Sequence, residues 1–417
     1  MGRSKNNAKT LRQKILFESM IPAARQTFNA SFTPEKYQAM LAEIDKDFPS
    51  QLDFRVSETP VFVPKDLKIK LLQACNDIIE VLLKPDFKEK TQRAIPANQN
   101  VPNEDAHPSF LAIDLAISKD GAGNLIPQLI ELQGFPSLFG YQWYLGPPSR
   151  KFFDVSEGYS QYFNRLSMAS YIDEMKKVLL AGENPENVIL LEIFPEKQKT
   201  RLDFEITKQL WGIEPVCLTK IKKVGRQLFY EKAGRTIEIK RIYNRLIFDD
   251  LLENYPNLTT SFSMTDDVDV KWVTHPNWFF RISKFTLPLL KSAYVPPSFF
   301  LSDLKEYPAD LENYVLKPLF SFAGSGVKLN ITKENLDEIS DRENYLIQRK
   351  VKYEPVVADT DGNLIKTEIR MLFIWEDNAA RPKLVTNLAR LSRGEMIGVN
   401  FNKNFDWVGG SCAFFEE

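Results

Sequence analysis

Apolar residues recur at two different periods along this chain, and the change of period divides it. Over "TPEKYQAMLAEIDKDF" and "PKDLKIKLLQACNDIIEVLLK" the helical period dominates, so both segments are predicted helices. Thr33 is placed as an N-cap, with Pro34 at the first helical position and Glu35 in the first turn. In the second segment Leu67, Leu71, Cys75, Ile78 and Leu82 share one face, which makes Cys75 a core residue rather than a nucleophile. Residues 1–107 therefore read as a helical N-terminal region.

Near Pro108 the period falls to two. "FLAIDLAIS" and "LIPQLIELQ" alternate, and "KDGAGN" between them is rich in turn formers, so a hairpin is predicted. "YSQYFNRLSMASYIDEMKKVLLAG" then reads as helix, and "NVILLEIF" as a strand buried on both faces. The helix "KTRLDFEITKQLWG" and the short strand "PVCLT" complete a βαβ unit, which implies a parallel sheet. Two more strands flank Gly234 in "RQLFYEKAGRTIEIKRIYNRL"; "HPNWFFRISKFTLPLLKSA" returns to helix, and "YVPPSF" is an extended linker. Strands dominate the last third: "YVLKPL", "GVKLNI", "YLIQRKV", "TEIRMLFIW" and "KLVTNLARLS".

Composition narrows the class without naming a function. The chain has 417 residues, 43% hydrophobic and 26% charged, enough for two or three domains with a large core. Lys and Arg number 54 against 55 Asp and Glu, so neither nucleic acid nor an anionic membrane is expected as a partner. No apolar run approaches the roughly 20 residues of a membrane span, and a cytoplasmic location is expected. Cys75, Cys217 and Cys412 are too scattered for a disulfide framework or a metal knuckle. His107 and His275 lie too far apart in sequence to suggest a histidine metal site, and His275 reads as a helix-start residue.

Chemistry concentrates in "YVLKPLFSFAGSGVKL". Lys317 leaves the middle of a strand, and the small-residue loop Ala323, Gly324, Ser325, Gly326 can turn backbone N–H groups toward phosphate oxygens. The loop lacks Gly-Lys-Ser/Thr and is no P-loop. Downstream, "YLIQRKVKYEP" offers hinge donors and acceptors through Gln348 and Lys350, with Glu354 placed for a ribose hydroxyl. "EIRMLF" puts Glu368 and Arg370 on one strand face. Lysine, glycine loop, hinge and strand arginine in this order resemble the ATP-grasp fold. Lys284, in "HPNWFFRISKF", is the candidate second phosphate lysine.

In most ATP-grasp proteins an Asp and a Glu-x-Asn on successive strands follow that lysine and hold two magnesium ions. Nothing after Arg393 fits, whereas the upstream hairpin does, with Asp114 on its first strand and Glu131-Leu132-Gln133 on its second. The run "LIELQGFPSLFG", the order of motifs and the tail residues Asn400 and Gly409-Gly410-Ser411 resemble circularly permuted ATP-grasp proteins, related to glutathionylspermidine synthase-like ligases. The resemblance covers roughly residues 108–417. It implies an α/β (α+β) chain with four parts. These are the helical region 1–107, a metal-binding hairpin at 108–150, a linker helix with a pre-ATP α/β domain at 151–295, and ATP-binding subdomains at 296–417.

It further implies ATP and two Mg²⁺ ions as cofactors, with Asp114, Glu131 and Gln133 as metal ligands. Lys284 and Lys317 would hold phosphates, and Arg370 and Arg390 would serve as catalytic groups at the γ-phosphate. Two positions depart from the pattern. Gln133 stands where Asn is usual, and Ala112 where the nearest relatives carry an arginine, which Arg281, Arg370 or Arg390 would have to replace. The implied reaction is ADP-forming ligation of a small-molecule or peptide carboxylate to an amine or thiol; Arg241 and Arg245 are candidates to bind an acidic substrate. A nucleotide-binding module without turnover and an ATP-grasp small-molecule kinase stay open as alternatives.

Overall fold

Helices α1 (Pro22–Ser31), α2 (Pro34–Asp47) and α3 (Lys65–Leu82) begin the fold. The computed structural model of the chain describes residues 20–320, 326–394, 397, 402 and 404–417, the side chain at 250 excepted. Thr33 caps α2 as expected, its side chain accepting from the Lys36 N–H at 3.3 Å. Helix α3 buries the predicted stripe Leu67, Leu71, Cys75, Ile78 and Leu82, each such side chain worth roughly 1.5–3 kcal/mol. Between these helices of the mostly helical N-terminal region lies a short strand. Strand β1 (Val61–Val63) pairs in parallel with Ala413–Glu416 at the far end of the sequence, a non-local partner that local periodicity does not reveal.

The central sheet is built from the predicted hairpin and the last third of the chain. Strands β2 (Phe110–Lys119) and β3 (Leu125–Gln133) pair antiparallel; β2 then pairs with β16 (Leu364–Ile374), β16 with β17 (Lys383–Ser392), and β17 with β18 (Gly409–Ser411). Alternation gives the sheet two different faces. Leu111, Ile113 and Leu115 join Ile369, Met371 and Phe373 in the core cluster that includes α3. Phe110 and Ala112 join Leu372 and Ile374 on the other face, against Phe139 of helix α4 (Phe139–Phe152) and Tyr171 of helix α5 (Met168–Leu180).

The βαβ expectation holds. Strand β5 (Val188–Glu192), entirely buried, runs parallel to β6 (Glu214–Cys217) with helix α6 (Arg201–Trp211) between them. Strands β10 (Arg241–Asn244) and β11 (Lys271–Val273) extend the same parallel sheet. A third layer is the small antiparallel sheet of β12 (Ser298–Phe300), β14 (Tyr345–Arg349) and β13 (Tyr314–Pro318), in that order.

Three local expectations fail for identifiable reasons. Residues 159–182 are not one helix: Tyr159–Ser160 form a strand against Ala413–Glu416, and α5 starts only after the Ser167 capping box. The segment after His275 is a five-residue helix, Asn277–Arg281, followed by a 3₁₀ stretch, Lys284–Leu289. Its ladder ends because the Ile282 carbonyl accepts from Gly134 N–H instead, and Pro288 lacks a donor. "GVKLNI" contributes no strand: Lys328 makes a single bridge to Leu316.

Candidate active site

Asp114 lies mid-strand in β2 between apolar Ile113 and Leu115, and alternation turns it away from their face. Register then assembles its neighbours. Glu131 stands opposite Asp114 because a bulge makes Ile130 the extra residue of β3. On its other side Asp114 faces Arg370, and one strand further Arg390 faces Glu368. Five charged side chains thus gather across four adjacent strands, brought together by pairing rather than by sequence proximity.

Their hydrogen bonds form one network. Arg370 holds Asp114 through Nε to Oδ1 at 2.5 Å and Nη2 to Oδ2 at 2.7 Å, and its Nη1 donates to Ser137 Oγ at 2.8 Å. Arg390 Nη2 donates to the same Asp114 Oδ2 and pairs with Glu368 at 2.8 Å. Glu131 Oε1 lies 3.6 Å from Arg370 Nη2 and accepts from Gln133 Nε2 at 3.1 Å. The Tyr353 hydroxyl donates to Glu368. Burial opposes ionisation of Asp114, yet the two guanidinium groups outweigh it and hold the carboxyl below the usual range. Glu368, with less cationic compensation, is pushed up by burial.

Two lysines approach, Lys317 from the small sheet and Lys284 from the 3₁₀ stretch. Lys317 on β13 donates to Gln348 Oε1 at 2.6 Å and to the Ile130 carbonyl at 3.4 Å, beside Glu131. Lys284 Nζ donates to the Pro318 carbonyl at 3.3 Å. Gly134 fixes this approach: a Cβ there would stand 2.6 Å from the Trp278 carbonyl oxygen, so only glycine lets the hairpin abut the Lys284 segment. Burial depresses both lysines, and Lys284 falls to about 8 despite the attraction of Glu131. Two buried donors here, Gln348 Nε2 and Arg390 Nε, have no acceptor among the described residues. Such orphaned N–H groups fit a site completed by an anion or a heterocycle.

The remaining candidates are placed as follows. Ala323, Gly324 and Ser325 of the loop, and Asn400 of the tail, lie outside the described residues. Gly326 adopts φ +71°, where a side chain would be strained. Lys350 Nζ donates to the Glu312 carbonyl at 2.7 Å, and Glu354 pairs with Lys119 at 2.6 Å. Arg281 is turned away from the cluster into Glu104, Gln92 and Thr91. Arg245 pairs with buried Asp203, and Arg241 donates to the Val178 and Leu179 carbonyls at the end of α5. Gly410 pairs opposite Arg390 and on its other side bridges Val56, so Gly409–Ser411 serves as sheet backbone. His275 bonds the Pro102 carbonyl, and burial lowers its pKa. Cys75, Cys217 and Cys412 are free and buried.

Among the described residues no three His, Cys, Asp or Glu side chains are gathered as a metal site. The donor chemistry is nonetheless oxygen-rich. Glu131 and Gln133 present a half-exposed carboxylate and an amide oxygen, which suit a hard cation such as Mg²⁺. Asp114 differs, since both its oxygens are already taken by guanidinium groups. Ser137 and Tyr353 were not singled out by sequence. Both lie inside motif runs, "LIELQGFPSLFG" and "YLIQRKVKYEP", where only the more familiar positions drew attention.

No family model matches this chain, and no curated protein does. Among solved structures, a glutathione synthetase-like effector from Globodera pallida, in its apo form, superposes with a TM-score of 0.58 at 11% identity. The match covers 92% of this chain and 98% of that one. Among the described residues no helix is long and apolar enough to cross a membrane. At so low an identity the likeness is one of architecture: this mixed α/β chain has the fold of that glutathione synthetase-like protein.

Proposed function

We propose that this chain is an ATP- and Mg²⁺-dependent, ADP-forming ligase of the ATP-grasp type, joining a carboxylate to an amine or thiol in the cytoplasm. The observation that carries the reading is the meeting of two sheets. Lys317 and Lys284 from one side, with Arg370 and Arg390 from the other, surround Asp114, Glu131 and Glu368. The four cations converge where a polyphosphate would need them, with Asp249 as a further acid acting on Lys284. The hairpin precedes Lys317 in sequence yet faces it in space, which supports the circularly permuted reading.

In this reading Lys317 and Lys284 hold phosphates, and Gln348 offers its orphaned amide to the base. Glu131 and Gln133 would hold magnesium, with Asp114 joining them where an anion draws off its guanidinium partners; the metal supplies charge neutralisation. Arg370 and Arg390 then face the γ-phosphate as the substrate carboxylate attacks it, and they stabilise the acyl phosphate until the amine displaces phosphate. Positioning and charge suffice, because phosphoryl transfer needs no covalent enzyme nucleophile. The test is ADP release on screening acid–amine pairs with ATP and Mg²⁺. Release that requires both acid and amine supports the ligase; release with an acceptor alone indicates a kinase.

A second reading, a nucleotide-binding module without turnover, is favoured by one observation: Asp114 is saturated by Arg370 and Arg390 rather than open to a metal. It predicts ATP binding with no ADP release under any acid–amine pair.

A further inference from the structure

A cavity of about 820 Å³ lies apart from the charged cluster. It is bounded by α3, the loop at 162–165 and the hairpin end of β16 and β17. Phe373 in its wall shares the Ile369–Met371 face of β16, whereas Arg370 points to the opposite face. The central sheet therefore separates this cavity from the nucleotide-type site.

Its lining has two characters. Leu72, Ile79, Phe163 and Phe373 supply an apolar floor, with Leu72 37% exposed. Four cations and one acid, Glu417, complete the wall. Two of those cations are neutralised, Arg381 by Glu80 and Lys383 by Glu174. The other two are not. Among the described residues the Lys68 ammonium donates only to the Glu416 carbonyl, and Arg165 makes no hydrogen bond or ion pair.

Arg165 is also held in an uncommon backbone state. It and Asn164 both adopt left-handed φ, +59° and +54°, and Asn164 is tied down by its amide donating to the Leu384 carbonyl at 2.8 Å. Two successive non-glycine residues in that region are uncommon, and the turn they form brings exposed Arg165 to the cavity lining. The volume lies within the range of small-molecule sites, and an apolar wall with few placed charges is their usual composition.

From this we infer a second ligand site: the cavity takes an amphipathic organic anion, a carboxylate on an aliphatic or aryl body, with Arg165 and Lys68 recognising the carboxylate. The inference does not depend on the ligase reading. The test titrates the full chain calorimetrically with sodium decanoate and, separately, with decanol. Saturable one-to-one binding of decanoate is expected, at least tenfold weaker in Arg165→Glu and in Lys68→Glu, with decanol at least tenfold weaker than decanoate. Thermal melts verify that both variants fold, each residue being outside the core. Lys317→Ala should leave decanoate binding unchanged, so failure at the nucleotide site is read separately. Absence of saturable heat, parent-like affinity in either charge-reversal variant, or decanol binding as tightly as decanoate would each overturn it.

Discussion

Two buried arginine–aspartate pairs in this molecule have opposite surroundings. Asp203 on α6 is wholly buried and sees Arg245 at 2.7 Å and the Tyr141 N–H at 2.9 Å, with buried Glu192 as a further carboxylate acting on Arg245. Asp114 is equally buried, yet two arginines converge on it, two further carboxylates stand beside it, and two depressed lysines approach across the sheet interface. A buried arginine among enclosed carboxylates is an internal strut for the α/β unit. A crowded cluster with half-open members such as Glu131 has no structural need for its extra charges. Its cost in desolvation makes sense when a ligand completes it.

The sharpest way to separate the two is to break the strut. Asp203→Ala leaves buried Arg245 without its ion-pair partner, and should cost about 3–5 kcal/mol in denaturant unfolding while the nucleotide dissociation constant stays unchanged. Equal losses of nucleotide binding would erase the distinction between the pairs. Next in size, Lys317→Ala should remove the thermal stabilisation given by ATP, about 2.7 kcal/mol at a hundredfold the dissociation constant. The unliganded variant should be no less stable than the parent, because a buried ammonium has gone. Glu131→Gln is expected to abolish the magnesium dependence of ATP binding and keep the fold; titration with and without Mg²⁺ decides it.

The pH response of Lys284 is smaller and directional. Its folded pKa of about 8 lies below the ordinary lysine value of 10.5, so the unfolded chain binds more protons between the two. Stability therefore rises with pH across that window, while affinity for an anion falls as pH climbs through 8. Lys284→Arg, charged throughout, should flatten the affinity profile. Least of all, Glu354→Ala breaks an ion pair with Lys119 that is partly exposed on both sides, and should change stability by under about 1 kcal/mol.

Local signals were legible wherever a partner was near in sequence. The Thr33 cap, the α3 stripe, the hairpin of β2 and β3 and the β5–α6–β6 unit all follow from periodicity, turn residues and short connections. Legibility failed where a distant partner intervened. Tyr159–Ser160 and Val61–Val63 become strands only because Ala413–Glu416 lies between them, and the helix after Arg281 stops because the hairpin claims the Ile282 carbonyl.

The candidate site shows the same division. Sequence alone determined that a carboxylate interrupts an apolar strand at Asp114, that Lys317 leaves another, and that Arg370 and Arg390 sit mid-strand. Residue type and alternation carry that much. Tertiary structure decided that Asp114 spends its oxygens on arginines, that Arg281 serves Glu104 instead, and that Lys284 meets the hairpin through Gly134. Those outcomes depend on strand register, a one-residue bulge and a single close backbone approach. None of them is encoded within the span of residues that local periodicity reads.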